Sequence, residues 1–321
     1  MVHQFFNAAA ACPAIVDEFL SKTKQSYGKT PLKFTGVFSI FFPQKGYHVN
    51  EDNLSSWLDA ISNNFLFHDY HEIVHKYTLI QVTNLFLKLE MYPLEEANKR
   101  IFQFWLYLTK IYWKLVGMNY DGKDNIFGFM TGFPIYKTKA VIIGNRPPKD
   151  KSSTGYAFHG TICESTKQLL HLVKSEGAAM ARPTGDNLFG FDAYDRYWQE
   201  VMKKCGLTGW IQQGVLLMNA HLTHHGGDSI SFMWQIFTDF IVQYLNSQMS
   251  NLVFFLLGER AILKDQHIDK QRHFVLPLCH PACYCFNSIP KKDWIEGQPF
   301  HKANAYLSKN GVVPIEWCKV R

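Results

Sequence analysis

Four short apolar runs punctuate the chain: residues 138–144, 214–218, 252–257 and 273–278. Each is too short for a confident helix, is rich in Val, Ile, Leu or Phe, and stops at polar or turn-forming residues. The stops are Asn145-Arg146-Pro147-Pro148-Lys149, Asn219-Ala220-His221, Gly258-Glu259-Arg260 and Cys279-His280-Pro281. Unbroken apolar runs of this length read as strands buried on both faces of a parallel sheet. Stretches of helical periodicity lie between them, residues 233–245 being the clearest. The expected fold is α/β, a four-stranded parallel sheet flanked by helices. Ligands bind such sheets outside the carboxyl ends of the strands. A site is therefore expected at the polar loops, above all after Gly144, where two prolines force a sharp turn.

The chain ahead of these runs is patterned differently. Residues 33–42 are rich in β-branched and aromatic side chains and predict a strand. Residues 53–65 predict a helix, with Asn53 as N-cap and Leu54, Trp57, Leu58 and Ile61 at helical spacing. Residues 80–91 and 97–115 predict two more striped helices, the second strongly aromatic. The expected division is an N-terminal extension over residues 1–92, forming an extra α/β or helical layer, and a second domain over 93–321. The aromatics fit packing of that layer onto the core; exposed, they would make a docking surface for a protein. Gly and Asp gather at 118–123, as in a connection. Residues 178–207 mix Gly, Asp and aromatics, which fits either a packed surface insertion or a partner-binding loop.

Composition narrows the class. An apolar share of 47% over 321 residues supports a sizeable core. No run of eighteen apolar residues is present, and the N-terminus lacks a basic n-region and meets Pro13 and Asp17 early. No membrane span or signal peptide is read, so an intracellular protein, nuclear or cytoplasmic, is expected. Seven cysteines without a C-x-x-C pair suggest free thiols in a reducing compartment. Cys279, Cys283 and Cys285 cluster on a tight loop, which is a weak argument for a metal, and neither metal nor cofactor is expected. The net charge of +6 suits a phosphate-bearing partner, although an unspecialised solvated surface gives the same balance.

From about residue 125 to 317 the chain resembles the uracil-DNA glycosylase family. The segments GVLLMNAHLT, WQIFTD, VFFLLG, KQRHFVLPLCHP and FHKANAYL…PIEW fall in family order and spacing, and FPIYKTKAVIIG and GYAF keep their places upstream. The resemblance implies an enzyme that takes a uridine out of the DNA stack and cleaves its bond to the sugar. It implies that Phe158 stacks on the base and that Asn219 reads its edge. Asn145 is expected beside the base, and His280 at the departing uracil. Read without the resemblance, Phe158 is as well a core aromatic, Asn219 a loop-capping amide and His280 a histidine fixing its own loop.

The first loop departs from the family. Gly144-Asn145-Arg146-Pro147-Pro148-Lys149 stands where the family has Gly-Gln-Asp-Pro-Tyr-His, so Arg146 replaces the carboxylate that orients water and offsets the sugar's positive charge. Reversing that charge at roughly 5 to 6 Å and an effective dielectric near 20 swings the interaction by about 6 kcal/mol. That is about four powers of ten in rate. Pro148 removes the ring that excludes thymine. The DNA grip is altered too. Glu259 stands where a serine meets phosphate, Ala282 replaces the serine of the His-Pro-Ser loop, and Tyr284 replaces the leucine wedge. Thr161-Ile162-Cys163-Glu164-Ser165 replaces a proline-rich loop, which puts Ser165 at the DNA. Lys149, Arg260, Lys264, Lys291 and Lys292 keep positive charge near these loops.

The expected function is a catalytically impaired relative that binds DNA or a protein, possible sites for the protein being 1–92 and 178–207. An active glycosylase with a substitute carboxylate, Asp150 being nearest in sequence, is the alternative reading. A structural assembly component is the third.

Overall fold

The computed structural model describes residues 126–148, 154–159, 164–180, 206–224, 227–282, 294 and 296–320, with 52, 53, 56, 57 and 60. The chain divides into two compact units, and all of these residues belong to the second (Phe41–Ser56, Gly122–Arg321) except Trp57 and Ala60, which are helical and buried in the first. The strand expected over 33–42, the helices over 80–91 and 97–115, the connection at 118–123 and the boundary at 92 lie outside the described residues. So does most of 178–207.

The second unit is built on a parallel sheet: β1 (Ala140–Gly144), β2 (Val215–Asn219), β3 (Val253–Leu257) and β4 (Phe274–Leu278), in the order β2-β1-β3-β4. Gly144 pairs with Asn219, and Ile143 with Met218 and Leu256, so the carboxyl ends align. The first three strands are buried at every position, as their unbroken apolar runs require. The half-exposed edge strand β4 accommodates Pro277, which has no N–H for a further neighbour.

Helices α1 (Glu164–Met180), α2 (Thr208–Gln212), α3 (Gly227–Gln248), α4 (Glu259–Ile262) and α5 (Pro299–Lys309) connect and cover the strands. On α3 the buried residues Met233, Trp234, Phe237, Ile241, Val242 and Leu245 trace one helical face. Phe300 of α5 stacks on Phe255 of β3 with ring centroids 5.3 Å apart, and Trp317 meets both rings. The Trp210 indole N–H is satisfied by the Trp317 carbonyl at 2.8 Å. The C-terminal segment thus closes one side of the sheet.

Three local expectations shift. β1 begins at Ala140 because residues 135–137 form a 3₁₀ turn, with the Thr138 hydroxyl donating to the Ile135 carbonyl at 2.6 Å. His273 stays outside β4, its Nδ1 accepting the Leu252 N–H. Asn53 is not an N-cap: Asp52 and Asn53 are already helical, and the Asn53 amide donates to the Thr131 carbonyl at 2.8 Å.

Candidate functional site

β1 runs on to β2 on one side of the sheet, while β3 and β4 lie on the other, so the loops after β1 and β3 diverge. That divergence opens a crevice at the carboxyl ends. Gly258 holds it together at φ +93°, a conformation that favours glycine, and an added Cβ there would come within 3.0 Å of the Asn145 amide and of the His280 Cβ. The strand pairing continues into the loops, with Ala220 N–H donating to the Gly144 carbonyl and His221 N–H to the Asn145 carbonyl.

A cavity of about 140 Å³ lies in this crevice, lined by Arg146, Pro147, Pro148, Tyr156, Phe158, His159, Ser165, Thr166, Asn219 and His280. No carboxylate is among these residues. Phe158 adopts φ 61°, an unusual left-handed backbone for an aromatic residue. Two bonds hold it there: the Ala157 N–H donates to the Leu217 carbonyl, and the Thr166 hydroxyl at the start of α1 donates to the Phe158 carbonyl at 3.1 Å. Gly144 gives the ring its room, since a Cβ there would lie 3.1 Å from the Phe158 ring and 2.8 Å from Asn219 Oδ1. Asn219 is 7% exposed.

The His280 ring lies 5.7 Å from that of Phe158. Its Nδ1 accepts the Ala282 N–H at 3.3 Å, which places the proton of a neutral ring on Nε2. Burial pushes the His280 pKa down and favours that neutral form. His159 is lowered by burial as well. The arrangement therefore offers a stacking face, an amide with both donor and acceptor, and a neutral N–H donor.

The expected site residues separate. Arg146, Phe158, Ser165, Asn219 and His280 come together at the cavity, with Arg146 exposed. Asn145 does not line it. Its side chain lies beside Gly258, and its Oδ1 is buried without a hydrogen-bond partner. Glu259 and Arg260 are exposed at the start of α4, and Ala282 contributes its backbone N–H to His280. Lys149, Asp150, Tyr284, Lys291, Lys292, Cys283, Cys285 and residues 161–163 lie outside the described residues. Among those described, no group of acidic, histidine and cysteine side chains is arranged to hold a metal. No described helix is long and apolar enough to cross a membrane.

Sequence reasoning missed Thr166, Tyr156 and His159. A signal for Thr166 existed, since Glu164-Ser165-Thr166 has the polar, acidic character of a helix start. Tyr156 and His159 flank the aromatic already singled out, and nothing in their spacing marks them.

The family model described as uracil DNA glycosylase superfamily matches residues 131–307. A uracil-DNA glycosylase of Amoebophilus asiaticus is 31% identical over 228 residues, covering 70% of this chain and 94% of that protein. One of Acinetobacter baumannii is 30% identical over 201 residues, covering 62% of this chain and 77% of its own. The crystal structure of mimivirus uracil-DNA glycosylase aligns over 88% of this chain and 98% of that one, at 16% identity and a TM-score of 0.44.

Proposed function

The chain belongs to the uracil DNA glycosylase superfamily, and on that premise we propose that it holds an extruded pyrimidine of DNA without cutting it from the sugar. The observation that carries this reading is the cavity wall: Arg146 stands beside Phe158, Asn219 and His280, and among the described residues no carboxylate lines the space they enclose. Breaking the glycosidic bond leaves positive charge on the sugar. A guanidinium stays positive at every accessible pH, opposes that charge and takes no proton from water. The recognition chemistry is independent of this charge. The Phe158 ring supplies a stacking face, Asn219 pairs with a base edge, and His280 Nε2–H donates to a carbonyl oxygen.

Pro147 and Pro148 offer no broad aromatic face on their side of the cavity, so 5-methyl pyrimidines are admitted alongside uracil. An active glycosylase would need a carboxylate brought to the sugar. Glu259 is exposed at the start of α4 and does not line the cavity. Residues 1–92 and 178–207 are the proposed docking regions for a protein partner.

The test is fluorescence anisotropy on a labelled single strand with and without one uracil, followed by hot-alkali treatment of the recovered DNA. The expected result is uracil-dependent binding, lost in Phe158→Ala, with the strand intact. Alkali-labile breaks that vanish in His280→Ala would overturn the reading.

A further inference from the structure

Two residues beyond Asn219, the chain buries a histidine among cations. His221 is 4% exposed. Its backbone is pinned from two sides, by its own N–H to the Asn145 carbonyl at 3.0 Å and by the Thr238 hydroxyl to the Ala220 carbonyl at 2.9 Å. Arg260 Nη1 lies 3.3 Å from its Nδ1 and 3.2 Å from its Nε2. Nearly equidistant from both ring nitrogens, Nη1 lies over the face of the ring, and a neutral imidazole is the form compatible with a guanidinium there. Burial first, then the charges of Arg260, Arg146 and Lys264, press its pKa down to about 4 against a small opposing pull from Asp239. The one N–H of the neutral ring finds no acceptor among the described residues.

The neighbouring charges are not equally free. Lys264 is matched by Asp239 at 2.6 Å and by the Thr238 hydroxyl at 2.7 Å, and Asp239 also faces His267 at 3.5 Å. Arg146 and Arg260 have no carboxylate partner among the described residues, and adjacent Glu259 pairs with neither. Two unmatched guanidinium groups beside a buried, unused N–H complement an oxyanion. Arg146 also lines the cavity of Phe158 and Asn219. An anion held here is thus next to whatever fills that cavity, and the natural anion beside a nucleobase is the phosphate on its sugar.

We propose that Arg146, Arg260 and His221 form a phosphate site for the nucleotide whose pyrimidine occupies the adjacent cavity. This rests on the cavity being a base pocket.

Calorimetric titration of the full chain with uracil, deoxyuridine, deoxyuridine 3′- and 5′-monophosphates, a short uracil-containing single strand and inorganic phosphate tests it. At least one monophosphate is expected to bind about tenfold or more tighter than deoxyuridine, the scale of one charge-assisted hydrogen bond. Arg260→Gln and His221→Val should each remove that advantage, and Arg260→Lys should keep part of it. Phe158→Ala should weaken every uracil-bearing ligand alike. A strand that matches the monophosphates identifies a backbone phosphate as the ligand, and a weaker strand a terminal one; either supports the site when Arg260→Gln removes the gain. Equal binding of deoxyuridine and both monophosphates, or a gain that survives Arg260→Gln, overturns it. Arg260-dependent binding of inorganic phosphate without any binding of uracil ligands would keep the phosphate site and sink the base pocket.

Discussion

The two banks of the crevice carry opposite kinds of group. On one bank Phe158, Asn219 and His280 are neutral: the Ala157 N–H to β2 and the Thr166 hydroxyl hold Phe158, the Ala282 N–H holds the His280 ring, and strand pairing with Gly144 places Asn219. On the other, Arg146 and Arg260 are charged, exposed and without carboxylate partners among the described residues. On the proposed reading, the first bank reads a base and the second faces its sugar and phosphate. Arg260 opens α4 while Asn219 ends β2 and His280 follows β4, and only Phe158 shares the β1–α1 connection with Arg146.

Crowding the neutral bank should have the largest effect. Gly144→Val places methyl groups against Asn219 and the Phe158 ring, and uracil-dependent binding by anisotropy should fall more than about a hundredfold, or roughly 3 kcal/mol. Unchanged binding would mean that the base does not enter between these side chains.

The scaffold has a pH dependence of its own, which must be separated from the site's. Glu176 is 6% exposed and accepts the His301 N–H at the start of α5, yet burial outweighs that bond, the Phe300 N–H and Lys302, and raises its pKa to about 7. The folded protein then keeps a proton that the unfolded chain releases near 4.5, so this group's contribution to stability falls as pH rises from about 4.5 to 7. Glu176→Gln should gain up to about 3 kcal/mol over wild type across that window, read from urea midpoints at pH 4.5 and 8. A difference that does not change with pH would show that the carboxylate is already ionised in the fold.

A smaller effect is expected at the stacking face. Phe158→Ala should weaken binding about ten- to a hundredfold, the range for one base–aromatic stack, whereas a Phe158 that only fills the core would lower thermal stability and leave affinity intact. The smallest change concerns the charged bank. Arg146→Asp alone should release little or no uracil from DNA, because Pro148, Glu259 and Ala282 remain. Turnover at the level of active relatives from that one substitution would show that the remaining loops were sufficient throughout.

The strands were legible because a five-residue apolar run buried on both faces has few other ways to fold. Their ends were not, since a 3₁₀ turn before Ala140 and a hydrogen bond made by His273 each trim a residue or two. Asn53 shows the same limit. Its helix was readable from periodicity, but a side chain that finds the Thr131 carbonyl 78 positions away has left its capping role for a tertiary one. At the site, the resemblance pointed to Phe158, Asn219, His280 and Arg146, which line one cavity. It did not anticipate that the turn at Gly258 would draw Asn145 aside. The contact of His221 with Arg260 joins residues 39 apart, and only the placement of β2 and β3 on either side of β1 brings them together.

The most direct test is a single-turnover experiment with the protein in excess over a uracil-containing single strand, following bound DNA and free uracil in the same samples. A fully bound strand is expected, with no uracil above the protein-free control over hours. Uracil released at a rate that depends on His280 and Asn219 would contradict it.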